Sequence, residues 1–247
     1  MTSTAHGAAI YSHTSYSVLI DLTSCVFKDC KASKNGGAIY VNQSTSLIVT
    51  DTLFHNCATN SDENEPGGGA IRIRGSGSTL SVSSSIFFSC NANVGSHGGG
   101  ALRASSMSNV LLSTSRFISC SSQYSAGAVY IDNSTPVTYT TILFNGNSAS
   151  KYGGAMRESG TSLSSTHIKF CFFTGNTGTY GNDYAVSKDL SYSPFIHSFS
   201  TGASNRVAYY DDGSFTYHDN WLPQGSIYFV SSTSWRNLHA LNQSSYS

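Results

Sequence analysis

The sequence predicts an all-β chain wound as a right-handed parallel β-helix, a solenoid of about six to seven coils with a C-terminal cap that contains a β-hairpin. Three observations carry this expectation. A Gly-Gly-Ala motif recurs at a near-constant interval, a Phe-x-x-Cys or Phe-x-x-Asn motif interleaves with it, and apolar residues alternate around both. A fixed period of about 20–50 residues marks a solenoid, propeller or array. A four-stranded propeller blade usually needs a longer repeat, of about 40 residues, and ranks second.

The first motif runs Gly7-Ala8-Ala9-Ile10-Tyr11, Gly36-Gly37-Ala38-Ile39-Tyr40, Gly68-Gly69-Ala70-Ile71-Arg72 and Gly99-Gly100-Ala101-Leu102-Arg103. It continues as Ala126-Gly127-Ala128-Val129-Tyr130 and Gly153-Gly154-Ala155-Met156-Arg157, with a decayed seventh copy at Gly181-Asn182-Asp183-Tyr184. The second runs Phe27…Cys30, Phe54…Cys57, Phe87…Cys90, Phe117…Cys120, Phe144…Asn147 and Phe173…Asn176. Ile39 with Val41, Ile71 with Ile73, and Leu47 with Val49 show period-two alternation between Gly, Ser, Asn and Asp, which reads as strand. Ser24, Asp51, Ser84, Thr114 and Thr141 precede each Phe by three residues. Their short polar side chains bond nearby backbone and suit a corner. A repeat built only of short strands cannot bury its apolar side alone, so stacking is required.

Along the chain, residues 1–35 hold a first half-motif, a strand near 17–22 and the first Phe corner. Residues 36–57 are the cleanest coil. Residues 58–67 form an acidic loop whose Asp62, Glu63 and Glu65 lack a calcium-loop pattern, so a solvated loop is expected. The repeat domain is placed at 1–187. Residues 188–247 lack the motif and are expected to form a β cap or the start of a second unit. There, 207–210 and 214–218 flank a Gly-containing turn and read as a hairpin.

The motifs resemble the repeat of the polymorphic outer-membrane proteins, the Pmp family of surface autotransporters, over roughly residues 6–187. The resemblance implies a β-helical surface domain used in adhesion. Four of the six Phe motifs here end in Cys where the family has Asn. No signal peptide is read at the N-terminus and no run of 18 apolar residues is present. The expected location is extracellular or at the cell surface, within a longer protein.

Formal charge is zero and charged residues make up only 11% of the chain, which argues against a nucleic-acid partner held by bulk charge. Apolar residues at 39% in regular positions argue against disorder. No Cys-x-x-Cys pair exists, so no zinc site is expected; Cys30, Cys57, Cys90 and Cys120 read as a stack of small half-buried residues at a corner, where Cys and Asn are interchangeable. No cofactor or metal is expected. Neither a Gly-x-Ser-x-Gly elbow nor a phosphate loop is present, and the carboxylates come from different repeat positions, so no catalytic residue is assigned.

The residue after each inward aliphatic forms a series: Tyr11, Tyr40, Arg72, Arg103, Tyr130 and Arg157. Alternation sends it outward, and an exposed Tyr/Arg ladder suits sugars or anionic partners. The sequons at Asn42, Asn133 and Asn242 are candidate glycosylation sites. The expected function is a non-catalytic, adhesin-like module that binds a cell-surface glycan or protein. The alternatives are a carbohydrate-active β-helix enzyme (polysaccharide lyase or glycosidase) and a truncated structural copy.

Overall fold

The structure is a computed structural model. It describes residues 1–187 except 15, 44, 62–66, 95–97, 135 and 161–165, and also 195–201, 207–211 and 214–218. The chain is a right-handed parallel β-helix of about 6 turns. In the second coil the strands are Ile39–Asn42, Thr45–Thr50, Leu53–His55 and Ala58–Ser61. The first three strands are short because a left-handed residue follows each: Gln43, Asp51 and Asn56, with φ of 70°, 48° and 53°. Asn, Asp and Gly reach that region most readily, which explains the recurrence of small polar residues at the corners.

Equivalent strands stack in register from coil to coil. Ile10, Ile39, Ile71, Leu102, Val129, Met156 and Tyr184 form one row of the Gly-Ala sheet. The decayed seventh motif therefore keeps its place. On the next sheet Leu47, Leu80, Val110 and Val137 align. The Phe rings stack as one column, with centroid separations of 4.9, 4.7, 4.7, 5.3 and 5.0 Å from Phe27 to Phe173. At the sixth coil the core turns polar: Glu158 takes the inward place that Val41, Ile73 and Ile131 fill elsewhere. Burial, with the Glu158 carboxyl beside it, raises Tyr139 well above the usual phenol range.

The two glycines of the motif serve different needs. The first takes a left-handed φ, for example 68° at Gly68 and 82° at Gly99. A Cβ on it would meet its own turn, 2.0 Å from the Ile71 carbonyl oxygen at Gly68, whereas a Cβ on the second would meet the neighbouring coil, 2.1 Å from the Gly100 carbonyl oxygen at Gly69. The second position carries a side chain only in the outermost copies, Ala8 and Asn182.

The two corners beside the Phe strand use one device: a left-handed residue, then a small inward polar side chain that serves the neighbouring coil. At the first, the backbone N–H of Thr52 donates to Ser85 Oγ and that of Ser85 to Ser115 Oγ, both at 3.1 Å. Each hydroxyl also donates to a carbonyl two residues back, as Ser85 does to Ser83 at 2.8 Å. At the second, Asn147 Nδ2 donates to the Phe117 carbonyl at 2.9 Å, and Asn147 Oδ1 accepts the Cys120 N–H at 3.0 Å. Cysteine makes the same bond to the neighbouring coil's carbonyl with sulfur. The Cys120 thiol donates to the Phe87 carbonyl at 3.5 Å, and the Cys90 thiol to the Phe54 carbonyl at 3.7 Å. This gives the expected Cys/Asn interchange its physical reason.

All six cysteines are free thiols. Burial, with the Cys57 thiol beside it, pushes Cys30 from 9.0 up to about 11. The hydrogen bond to Cys90, together with burial, raises Cys57, and burial raises Cys90. A raised folded-state value favours the protonated thiol, so this stabilisation is complete below about pH 9 and is lost as pH rises through the folded-state values. Stability measured by urea unfolding is expected to fall above about pH 9, by up to about 1.4 kcal/mol per pH unit for each buried thiol. Replacing Cys57 and Cys90 together by Asn is expected to make the slope shallower; an unchanged slope would refute the attribution.

The parallel pairing continues past residue 187. Phe195–Thr201 pairs on Thr166–Thr174, and Val207–Asp211 pairs on Tyr184–Ser187. The hairpin expected from the sequence is present: Ser214–His218 returns antiparallel to Val207–Asp211 and covers that end of the Gly-Ala sheet. Covering a strand edge protects it from pairing with other chains. Residues 219–247, with the Asn242 sequon, lie outside the described residues.

Candidate functional site

The Tyr/Arg series is in register, as alternation requires: Tyr11, Tyr40, Arg72, Arg103, Tyr130 and Arg157 are cross-strand neighbours. It is not an exposed ladder. Tyr40, Arg72, Arg103 and Tyr130 are 7%, 1%, 1% and 3% exposed. Arg157 is half-buried, and Tyr11 alone is largely exposed.

The correction has a clear cause. Where it is described, the segment that precedes a Gly pair lies against the outside of the sheet as a second layer. Its own bridges link Asn35 to Gly67, and Ser125 to Tyr152 to Tyr180. The His6 ring stacks on Tyr40 at 4.4 Å, and the Asn35 amide meets His6 Nδ1 at 3.3 Å. Arg103 and Arg157 place their guanidinium groups by the Tyr130 ring, at 5.2 and 5.3 Å. Arg157 also lies 4.5 Å from the centre of the Tyr152 ring. Arg72 Nη1 donates to the Ile73 carbonyl and to Ser105 Oγ, each at 2.9 Å. His6 on Tyr40, and Arg157 with Tyr152 and the Ser125 hydroxyl, join the outer segment to the sheet, while the Arg72 and Arg103 contacts run between strands of the sheet itself. A signal for the second layer was present in the sequence: Tyr124, Tyr152 and Tyr180 recur ahead of the Gly motif.

An open concave feature lies elsewhere, at the corner where the Gly-Ala strands end. A groove of about 570 Å³ runs across four coils there. Its floor is the in-register row Asn42, Arg74, Ser105 and Asp132. Beside that row lie Gln43, Gly75, Ser106 and Asn133, all left-handed, with φ of 70°, 137°, 57° and 45°. Their side chains cannot follow the strand pleat and project toward solvent; Gln43, Arg74, Ser106 and Asn133 are all exposed.

The corner backbone is tied from coil to coil. Gln43 N–H donates to the Arg74 carbonyl at 2.8 Å, Gly75 N–H to the Ser105 carbonyl at 3.2 Å, and Ser106 N–H to the Asp132 carbonyl at 2.9 Å. Asp132 Oδ1 accepts from Ser159 Oγ at 2.8 Å, and that hydroxyl meets the Tyr130 phenol at 2.8 Å. The groove thus presents primary amides, hydroxyls, one guanidinium and one carboxylate on a fixed scaffold. Of the sequon asparagines, Asn42 and Asn133 both line it. A glycan attached to either would fill the same space that a ligand would use.

Other carboxylates are engaged locally. Asn56 Nδ2 donates to Asp29 at 2.6 Å and holds it below the usual carboxylate range. Ser24 bonds Asp51 at 3.2 Å, and Asn176 bonds the buried Asp183 at 3.0 Å. Among the described residues no group of three or more His, Cys, Asp or Glu side chains is placed to hold a metal ion. Asp62, Glu63 and Glu65 lie outside the described residues. No helix among the described residues is long and apolar enough to cross a membrane.

Among the described residues, fold and groove together define a parallel β-helix with outer segments against the Gly-Ala sheet and a polar corner groove. Compared with protein-family models, curated proteins and solved structures, the chain matches none of them.

Proposed function

We propose that the protein is a non-catalytic binding module of the adhesin-like, surface-exposed or secreted kind, with a glycan or glycoprotein partner on a cell surface. The observation that carries this reading is the corner groove, a polar and uncovered concavity whose floor repeats in register over four coils. A preorganised backbone loses little freedom on binding, which favours recognition by many weak contacts. The Pmp-like repeat and the two sequons at this corner support an exported protein. The engagement of Asp29, Asp51, Asp132 and Asp183 with neighbouring side chains supports binding over hydrolysis, since glycosidic cleavage needs two carboxyls opposed across the scissile bond.

The test is incubation of the purified protein with immobilised polysaccharides and cell-surface glycoproteins, reading both retention and released oligosaccharide. Retention without release is expected. Release of product would replace this reading with that of a carbohydrate-active enzyme, and absence of retention on every surface would refute it.

A further inference from the structure

We infer that the corner groove takes an extended, uncharged oligosaccharide lying along the helix axis, with about one sugar ring per coil. This rests on the binding-module reading and specifies its ligand and its residues.

The groove chemistry narrows the ligand by exclusion. Its charged side chains, Arg74 and Asp132, are one of each sign and stand two coils apart in the same row. A polyanion would gain one cation and meet one carboxylate, so charge does not favour it. An apolar ligand would find no aliphatic or aromatic lining: the remaining groups are amides, hydroxyls and a glycine. A peptide strand would need free backbone donors, as in β-augmentation. Here the N–H groups of Gln43, Gly75 and Ser106 are all spent between coils.

What remains is a ligand that donates and accepts at many points without charge, and a chain of sugar hydroxyls has that character. Primary amides such as those of Asn42, Gln43 and Asn133 both donate and accept, and so do the hydroxyls of Ser105 and Ser106. The spacing agrees. Stacked coils rise by about 4.8 Å, close to the length one pyranose ring adds to an extended glycan. Each ring would meet one row residue and its left-handed neighbour: Asn42 with Gln43, Arg74 with Gly75, Ser105 with Ser106, and Asp132 with Asn133. With no aromatic platform in the lining, each contact is weak, and affinity depends on how many coils the ligand spans.

The experiment is NMR titration of the full isotopically labelled chain with cellohexaose, chitohexaose, cellobiose, chitobiose and polygalacturonate, each at millimolar sugar concentration, beside the retention assay above. At least one neutral hexaose is expected to shift the amide signals of Asn42, Arg74, Ser105 and Asp132. Cellobiose or chitobiose, matched to that hexaose, is expected to bind at least about tenfold more weakly. Arg74→Ala and Asp132→Ala, in which only exposed or half-exposed side chains are removed, are expected to weaken hexaose binding about fivefold or more while leaving the unfolding midpoint nearly unchanged. A conservative Asp132→Asn is expected to retain most of the binding.

Absence of groove shifts with both hexaoses, equal affinity for the disaccharide, or preference for polygalacturonate would each overturn the inference. The two readings fail separately. Undiminished retention of the Arg74 and Asp132 variants on glycoproteins would sink the groove assignment and spare the binding-module reading. Hexaose binding in the groove without retention on any cell-surface glycoprotein would keep the groove assignment and overturn the cell-surface partner.

Discussion

Replacing Phe87 by alanine is expected to destabilise the protein by about 3–5 kcal/mol. The ring is fully buried and stacks between Phe54 and Phe117, 4.7 Å from each centroid. Its removal deletes two aromatic contacts and leaves a cavity between coils tied by parallel pairing on both sides, which limits collapse. Total stability of a domain is about 5–15 kcal/mol, so the loss is a large fraction of it. The comparison is Phe27→Ala at the end of the column, where the ring is half-buried and has one stacked neighbour, Phe54. That variant is expected to lose less than half as much in urea unfolding. Equal losses would mean that the column is not stabilised by neighbours on both sides.

Gly69→Ala is expected to cost at least about 3 kcal/mol, at the upper end of the overpacking range. The new methyl would lie 2.1 Å from the Gly100 carbonyl oxygen and 2.4 Å from that of Asn91. Both obstacles are backbone atoms, one in the next coil and one where the same coil closes, so no rotamer change relieves them. Gly68→Ala is the control. That position requires a left-handed φ, and a Cβ on it would lie 2.0 Å from the Ile71 carbonyl oxygen of its own turn; yet Ala126 holds the equivalent place with φ 54°, so this contact within one turn relaxes locally, at a cost of about 1–2 kcal/mol. Circular dichroism melts should therefore rank Gly69→Ala as the more damaging. The opposite order would show that backbone conformation, not coil-to-coil clearance, selects the glycine pair.

The architecture was legible because its determinants repeat. The Phe column, the aliphatic rows and the left-handed residues Ser24, Asp51, Ser84, Thr114 and Thr141 sit where periodicity places them. The burial of Tyr40, Arg72, Arg103 and Tyr130 was not legible from alternation. Alternation tells which side of a strand a side chain leaves, not what later passes over it. The covering segments differ in length and sequence from coil to coil, and only Tyr124, Tyr152 and Tyr180 betray their stacking. The groove is harder still to read. Asn42, Arg74, Ser105 and Asp132 share a register position but no chemistry, so they form no motif. Their meaning appears only when four unlike side chains are set side by side.

The hydroxyl and thiol/amide ladders at the corners have a consequence for how such a chain changes length. Asn147 answers the Cys120 N–H, and Asn176 answers that of Asn147, so each coil satisfies only the coil next to it. No side chain in these ladders depends on a coil farther away. Excising or duplicating one complete turn rejoins chemically equivalent neighbours and leaves the cross-section unaltered. A partial turn breaks every ladder at once. The tolerated increment of insertion and deletion is therefore quantised, and a longer groove is reached by copying a turn rather than by designing a new surface.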